Sequence, residues 1–321
     1  MEIARVAEEI FRVPVPVPFP MKYVYCYVCK GKQGVKLIDA GFHYPPAQQA
    51  WQEAFAQLAI EPQDVQAIYL THFHPDHFGL AGWLQQLTNA PVYMHEIELA
   101  MVKRVWEAGG NQTDRIREMC RQSGVPADLA GEIAAAMGKL NDHVQPLPSI
   151  TPLADPEVEL SGEAWQVLVT PGHSDGHTCF YQDRSKLLLA GDHLLDKITP
   201  NISLWPGAHP NPLRAYLESL HRLAKLEISL ALPAHGGLIA NAAERAEQIV
   251  QHHHRRLALM EEIAGEGQTA YQIAAQIFSY RELTPHQWRF ALAETLAHLE
   301  YLVAEGRVVK QADEGQTVYQ R

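Results

Sequence analysis

The chain has 321 residues and carries 26 Lys and Arg against 37 Asp and Glu, for a formal net charge of −11. That length allows one large core or a large and a small domain. The acidic balance argues against a nucleic acid or an anionic membrane as partner.

Residues 1–12 mix Glu2, Glu8 and Glu9 into a segment with no long apolar run, and no later stretch is apolar for long enough to span a bilayer. The expectation is a cytoplasmic protein with no signal peptide. Residues 13–20 (V-P-V-P-V-P-F-P) read as a stiff segment leading into a sheet rather than as a polyproline ligand. The aromatic and β-branched run that follows, from Tyr23, reads as a strand containing Cys26 and Cys29. Residues three apart on a strand face opposite ways, so this C-x-x-C reads as packing rather than as a redox or zinc pair. Cys120 and Cys179 stand alone, and four cysteines are too few for a disulfide framework.

A buried strand is predicted over 35–39, ending in Asp39-Ala40-Gly41, and a helix over 46–58 from the spacing of Trp51, Ala54, Phe55 and Leu58. An apolar strand over 65–70 runs into Thr71-His72-Phe73-His74-Pro75-Asp76-His77. A helix over 80–87 and a short strand over 92–94 follow. Residues 96–140 lack strand signals and fit two or three helices, broken at Gly109-Gly110 and Gly124-Val125-Pro126. Strands return at 157–160, 165–170, 178–182 and 187–190, then a helix at 213–226 and a strand at 229–233. Beyond residue 241 three helices are predicted (242–262, 269–278 and 286–305), followed by a hairpin around Asp313-Glu314-Gly315. Three helices and a hairpin have the shape of a winged helix.

Three histidines and a carboxylate within six residues, directly after a strand, form a compact set of metal ligands. Imidazole suits zinc, and mixed nitrogen and carboxylate ligands also admit iron or manganese. Three later strand ends each present a further ligand type: His173 in T-P-G-H, Asp192 in A-G-D-H and His235 in P-A-H-G. This spacing makes sense if those strands finish on one edge, so that their loops converge. The run His252-His253-His254 points three ways on a helix and reads as a solvated face. His193, next to Asp192, reads either as a packing residue or as a group that touches substrate or tunes Asp192.

The set His72-x-His74-x-Asp76-His77, His173, Asp192 and His235, with Asp39 ahead of it, resembles the motifs of the metallo-β-lactamase superfamily over residues 10–240. The resemblance implies an α+β fold: a four-layer αβ/βα sandwich with a helical insertion at 96–140 and a small winged-helix domain. The domains expected are 1–240, catalytic, and 241–321. It implies two divalent metals, zinc first and iron or manganese as alternatives, with a bridging hydroxide as nucleophile. His72, His74 and His173 would hold one metal and Asp76, His77 and His235 the other. Asp192 would bridge them, Asp76 would orient the hydroxide, and Asp39 would orient a ligand from behind.

The segment 23–41, the turn T-P-G-H-S-D-G-H at 170–177 and Gly191-Asp192 are most similar to the glyoxalase II group, which implies hydrolysis of a thioester, with lactones and other esters close by. The C-terminal unit is similar to that of LACTB2-like proteins, which implies a single-strand endoribonuclease as the alternative. An iron-dependent sulfur dioxygenase is a further alternative. Residues 246–321 hold seven Lys or Arg against ten Asp or Glu, with Arg289 the single cation of the helix predicted at 286–305. A nucleic-acid-reading face should be basic, so this unit reads as a packing or homodimer module and the partner as a small molecule. The loop after Asp192 has one cation, Lys197, and apolar Ile202, Leu204 and Trp205. Thr199 and Asn201 are the expected substrate contacts on it.

Overall fold

The computed structural model describes residues 2–107, 111–280 and 282–321, apart from the side chain of Glu266; the Gly109-Gly110 break predicted above lies outside them. The first sheet takes its strands in chain order: β1 (Ala4–Ala7), β2 (Ile10–Pro16), β3 (Tyr23–Gly31), β4 (Gly34–Ile38), β5 (Val65–Tyr69), β6 (Val92–Met94) and β7 (Ile150–Pro152). It is antiparallel from β1 to β4 and parallel from β4 to β7. The second sheet is built from β8 (Glu157–Leu160), β9 (Glu163–Val169), β10 (Thr178–Gln182), β11 (Leu187–Gly191) and β12 (Leu230–Pro233), in the order β12-β11-β10-β9-β8.

Alternation along the strands divides the core into layers. Tyr27, Cys29, Ile38 and Tyr69 of the first sheet and Trp165, Phe180, Leu189 and Leu232 of the second share one buried cluster between the sheets. Their neighbours Cys26, Val28, Leu37 and Ile68, and Cys179, Tyr181, Leu188 and Ala231, point outward into the helices. Cys26 and Cys29 thus lie on opposite faces, and all four cysteines are free and buried. All residues of β10 and β11 are buried, as expected of strands covered on both faces.

The helices of this body are α1 (Pro45–Gln57), α2 (Pro75–Phe78), α3 (Ala81–Thr88), α4 (Glu96–Val105), α5 (Gln112–Gln122), α6 (Ala127–Gly138) and α7 (Pro212–Leu223). The chain continues through α8 (Ala242–Ile263), α9 (Ala270–Ile277) and α10 (Pro285–Ala304), with a third sheet of β13 (Gln268–Thr269), β14 (Val309–Asp313) and β15 (Gln316–Gln320). α9 and α10 both open with capping boxes, Thr269 with Gln272 and Thr284 with Gln287. Among the described residues no helix is long and apolar enough to cross a membrane.

One expectation is corrected here. The N-terminal segment forms a hairpin of β1 and β2, and the proline-rich run does not merely lead into the sheet: Pro14 and Pro16 are residues of β2. β1 pairs with β2 only as far as Arg12, so both prolines sit where β2 has no neighbour on that side, and no ladder bond is lost there.

Candidate metal centre

β9 and β11 are each antiparallel to β10, and β12 is parallel to β11, so all three run the same way. Their C-terminal ends carry His173, Asp192 and His235 to one edge. β5, parallel to β4, brings His72 to the same place behind Asp39. Two glycines make the turns possible. Gly191 has φ of 50°, and Gly172 has φ of 137° with its Cα against Tyr216, where a Cβ would fall 2.3 Å from the tyrosine Cβ.

The side chains meet in three overlapping groups: His72, His74 and His173; His72, His77 and Asp192; and Asp76, His77 and His235. His74 Nδ1 lies 2.9 Å from His173 Nε2, and His235 Nε2 lies 3.2 Å from Asp76 Oδ2. Asp192 stands between the first and last groups, its Oδ2 3.5 Å from both His77 Nε2 and His173 Nε2. All seven residues named from the sequence are therefore together.

Four of the five imidazoles, all but His74, are aimed by a bond at Nδ1. Nδ1 of His77 donates to Asp39 Oδ2 at 2.8 Å, Nδ1 of His173 to the Asn201 carbonyl at 2.9 Å, and Nδ1 of His235 to the Tyr23 carbonyl at 3.0 Å. Nδ1 of His72 pairs with Thr71 Oγ1 at 2.9 Å. Such bonds fix the tautomer and present Nε2 to the centre. Asp39 has a left-handed backbone (φ 61°) and also accepts from the Thr71 backbone N–H and hydroxyl, so it ties the loop after β4 to the loop after β5.

Electrostatics suit a cation. Burial, then neighbouring imidazoles, hold His72 and His74 well below the usual histidine range, so both are neutral donors. Burial alone would push Asp76 up, but His77 and His235 bring it down to about 2. Asp192 is likewise held low by His235 and His77 against its burial. His72 Nε2, His77 Nε2 and Asp192 Oδ1 are buried without a hydrogen-bond partner. Orphaned lone pairs of this kind are costly unless something completes them. Burial lowers His77 and His235, but Asp192 and Asp76 outweigh it and raise both, so at those two a metal ion would take the place of a proton. The neutral imidazoles of His72 and His74 and the two ionised carboxylates, converging on such orphans, fit divalent metal ions.

Three contributors escaped the sequence reading. Glu98 of α4 is fully buried and accepts the Phe73 N–H at 2.9 Å and the Gly176 N–H at 2.6 Å, which clamps the loop of His72 and His74 to the loop of His173. Its signal was position: it lies three and four residues before buried Met101 and Val102, a charge on an apolar helix face. His177 pairs through Nδ1 with Thr170 and accepts the Asp192 N–H on Nε2 at 3.1 Å. Trp106 donates to the Phe73 carbonyl at 3.0 Å.

The centre opens onto a cavity of about 620 Å³. Beside His74, Asp76, His173, Asp192 and His235, it is lined by Phe73, by Met101, Val105, Trp106, Ile116, Met137 and Leu140 of the segment 96–140, by Thr199, Asn201 and Trp205, and by Arg289 and Phe290 of α10. Thr199 and Asn201 thus reach the cavity, but both ends of the Asn201 amide are engaged, by Glu294 at 2.9 Å and by Ser203. His193 is corrected as a substrate contact. It is fully buried, lies outside the lining and packs on His177 and Tyr216. The histidine run is not a solvated face throughout: His254 is exposed, but His253 is buried and bonds His298 at 3.0 Å.

Comparison with known proteins agrees with this geometry. The sequence pattern of the Metallo-beta-lactamase superfamily matches residues 20–235, and that of a metallo-beta-lactamase-like C-terminal domain matches residues 257–321. The chain is 28% identical to the probable metallo-hydrolase YqjP of Bacillus subtilis over 318 residues, covering 97% of each protein. It is 36% identical to the crystal structure of a metallo-beta-lactamase family protein from Thermus thermophilus, with a TM-score of 0.88 over 99% of this chain and 100% of the other. A beta-lactamase domain protein from Burkholderia ambifaria is 27% identical, with a TM-score of 0.87 over 100% and 94% of the two chains. With the family pattern enclosing Asp39 and every candidate ligand from His72 to His235, the chain belongs to the metallo-beta-lactamase superfamily.

Proposed function

We propose that the chain is a dinuclear hydrolase of a small, largely apolar acyl compound: a thioester, an ester or a lactone. One observation carries this reading: the ligand cluster opens onto a largely apolar cavity whose lining, among the described residues, contains a single Lys or Arg. A nuclease groove would need several cations to meet phosphates, and a cavity of this size suits a small molecule.

His72, His74 and His173 would hold one metal ion and Asp76, His77 and His235 the other, zinc first, with iron or manganese as alternatives. Asp192, in reach of both groups, would bridge them. When bound, the pair would supply a water acidic enough to act as nucleophile at neutral pH. Asp76 is ionised and lines the cavity, where it would orient that water. The apolar wall excludes bulk water and seats the acyl chain. The reading divides the chain into a catalytic unit, 1–240, whose segment 96–140 serves as a lid, and a winged-helix-like unit, 241–321, which closes the cavity from the other side.

The test is a panel of thioester, lactone and phosphodiester substrates given to metal-loaded protein, with Asp192→Ala as the blank. Turnover of a thioester or lactone that vanishes in the blank is expected. Chelator-sensitive cleavage of single-stranded RNA with no acyl turnover would overturn the proposal.

A further inference from the structure

Arg289 is 6% exposed, on the first turns of α10, and it lines the same cavity as the metal ligands. Among the described residues no carboxylate comes within ion-pairing distance of it, although a buried guanidinium normally has a partner. The nearest acid along its helix, Glu294, is bonded to Asn201 instead. Of its five N–H donors, one points at the Met137 sulfur at 2.9 Å, a weak acceptor, and Nε has no partner. The guanidinium carbon sits 4.3 Å from the Phe290 ring centre and 5.4 Å from that of Trp205. Ring faces hold the charge from the side and leave Nε unsatisfied.

Nothing else in the described lining neutralises this charge. Burial, and then Arg289 itself, push His286 down to about 4, so it is neutral. The two acids of the lining, Asp76 and Asp192, belong to the metal centre. Burial lowers Arg289 to about 10, which leaves it protonated at neutral pH. A second buried polar atom without a partner, Gln112 Oε1, belongs to the same lining.

We propose that the cavity takes an amphipathic anion, whose apolar body lies against Met137, Trp205 and Phe290 and whose carboxylate, sulfonate or phosphate group pairs with Arg289. This deepens the hydrolase reading and rests on it for the other end of the ligand, the acyl bond at the metal centre; the anion site stands on Arg289 alone. The substrate class is then an acyl compound that carries its own negative charge on an apolar body. Arg289 is a specificity residue, since a neutral analogue would leave it as unpaired as before.

The experiment compares n-octanesulfonate with n-octanol by calorimetry on the metal-loaded full-length chain. A sulfonate is a poor metal ligand, so the metals give it no advantage. Octanesulfonate should bind at least about tenfold more tightly than octanol, because a buried charge-assisted pair is strong. Arg289→Met should erase that preference with metal content unchanged and the melting temperature the same or higher, whereas a merely structural arginine would lower the melting temperature. Arg289→Lys should keep the sign of the preference and serves if Arg289→Met fails to fold. Equal binding of the two probes by the wild type, no binding of the sulfonate, or a preference that survives Arg289→Met would overturn the proposal. Acyl turnover without any anion preference would sink this inference alone. Anion preference without acyl turnover would sink the hydrolase reading alone.

Discussion

Single residues set the centre's geometry from a distance, and Glu98 is the clearest case. One buried carboxylate holds two backbone N–H groups from two loops that carry ligands. Burial pushes it up to about 7, from an ordinary value of 4.5. Its folded-state pKa is raised, so between those values the folded chain binds more protons than the unfolded one. The stability it contributes is therefore present below pH 4.5 and is lost as pH rises through about 7. Glu98→Gln turns an amide NH₂ toward a backbone N–H, which should cost about 1–3 kcal/mol. The glutamine cannot ionise, so thermal melts should show the gap to wild type narrowing as pH rises across that window. A gap that stays constant with pH would mean that Glu98 is already ionised throughout. Side chains such as Asp39 and His235 were legible in the sequence because ligand types follow strand ends. Glu98 and His177 were not, because a lone acid or histidine acquires meaning only from the backbone N–H groups brought to it by distant segments.

At the scale of elements, long periodic segments were read correctly: α1, α3, α7, α8, α9 and α10 lie within a few residues of their expected ranges. The seven-residue β2 was masked by its prolines, and the four-residue helix α2 was missed as well; the other strands missed, β1, β7 and β13, are four, three and two residues long. Strands that short carry no period of their own and exist because a neighbouring strand offers partners. The segment holding α4, α5 and α6 contributes the apolar wall through Met101, Ile116 and Met137. If that wall seats the acyl chain, Met101→Trp should fill part of the cavity. KM should then rise several-fold for long-chain thioesters while kcat/KM for an acetyl thioester holds within about twofold. Equal effects on both substrates would show that the segment does not measure chain length.

For the whole molecule, metal and fold are linked. The centre buries two low-lying carboxylates and orphaned imidazole nitrogens between two sheets' ends. Ions bound only by the folded state stabilise it by about 4 kcal/mol at a thousandfold excess over Kd. Removal of metal by a chelator should therefore lower the melting temperature by something on the order of 10 °C, with recovery on adding zinc. Asp39→Asn, which loosens the aim of His77, should weaken metal affinity roughly 10–100-fold. Metal titration followed by melting temperature measures both. A melting temperature indifferent to chelator in the wild type would contradict the assignment of the cluster as a metal centre.

What the sequence by itself determined is the set of candidate ligands and their attachment to strand ends, because each depends on local pattern: a strand period, a turn glycine, a histidine at fixed spacing; the layered fold came from the resemblance those motifs carry. The tertiary structure alone decided what surrounds those ligands. The cavity is walled by segments more than a hundred residues apart, from Met101 to Phe290. Whether a polar residue there is paired is a property of its neighbours in space. Arg289 read as one cation on an acidic helix. Packed beneath Trp205 and beside Met137, with no acid in reach among the described residues, it becomes a charge in the cavity without a counterion. His193 stands next to a metal ligand in sequence, yet the turn at Gly191 buries it behind the centre, because direction at a strand end is set by backbone dihedrals that spacing along the chain does not reveal.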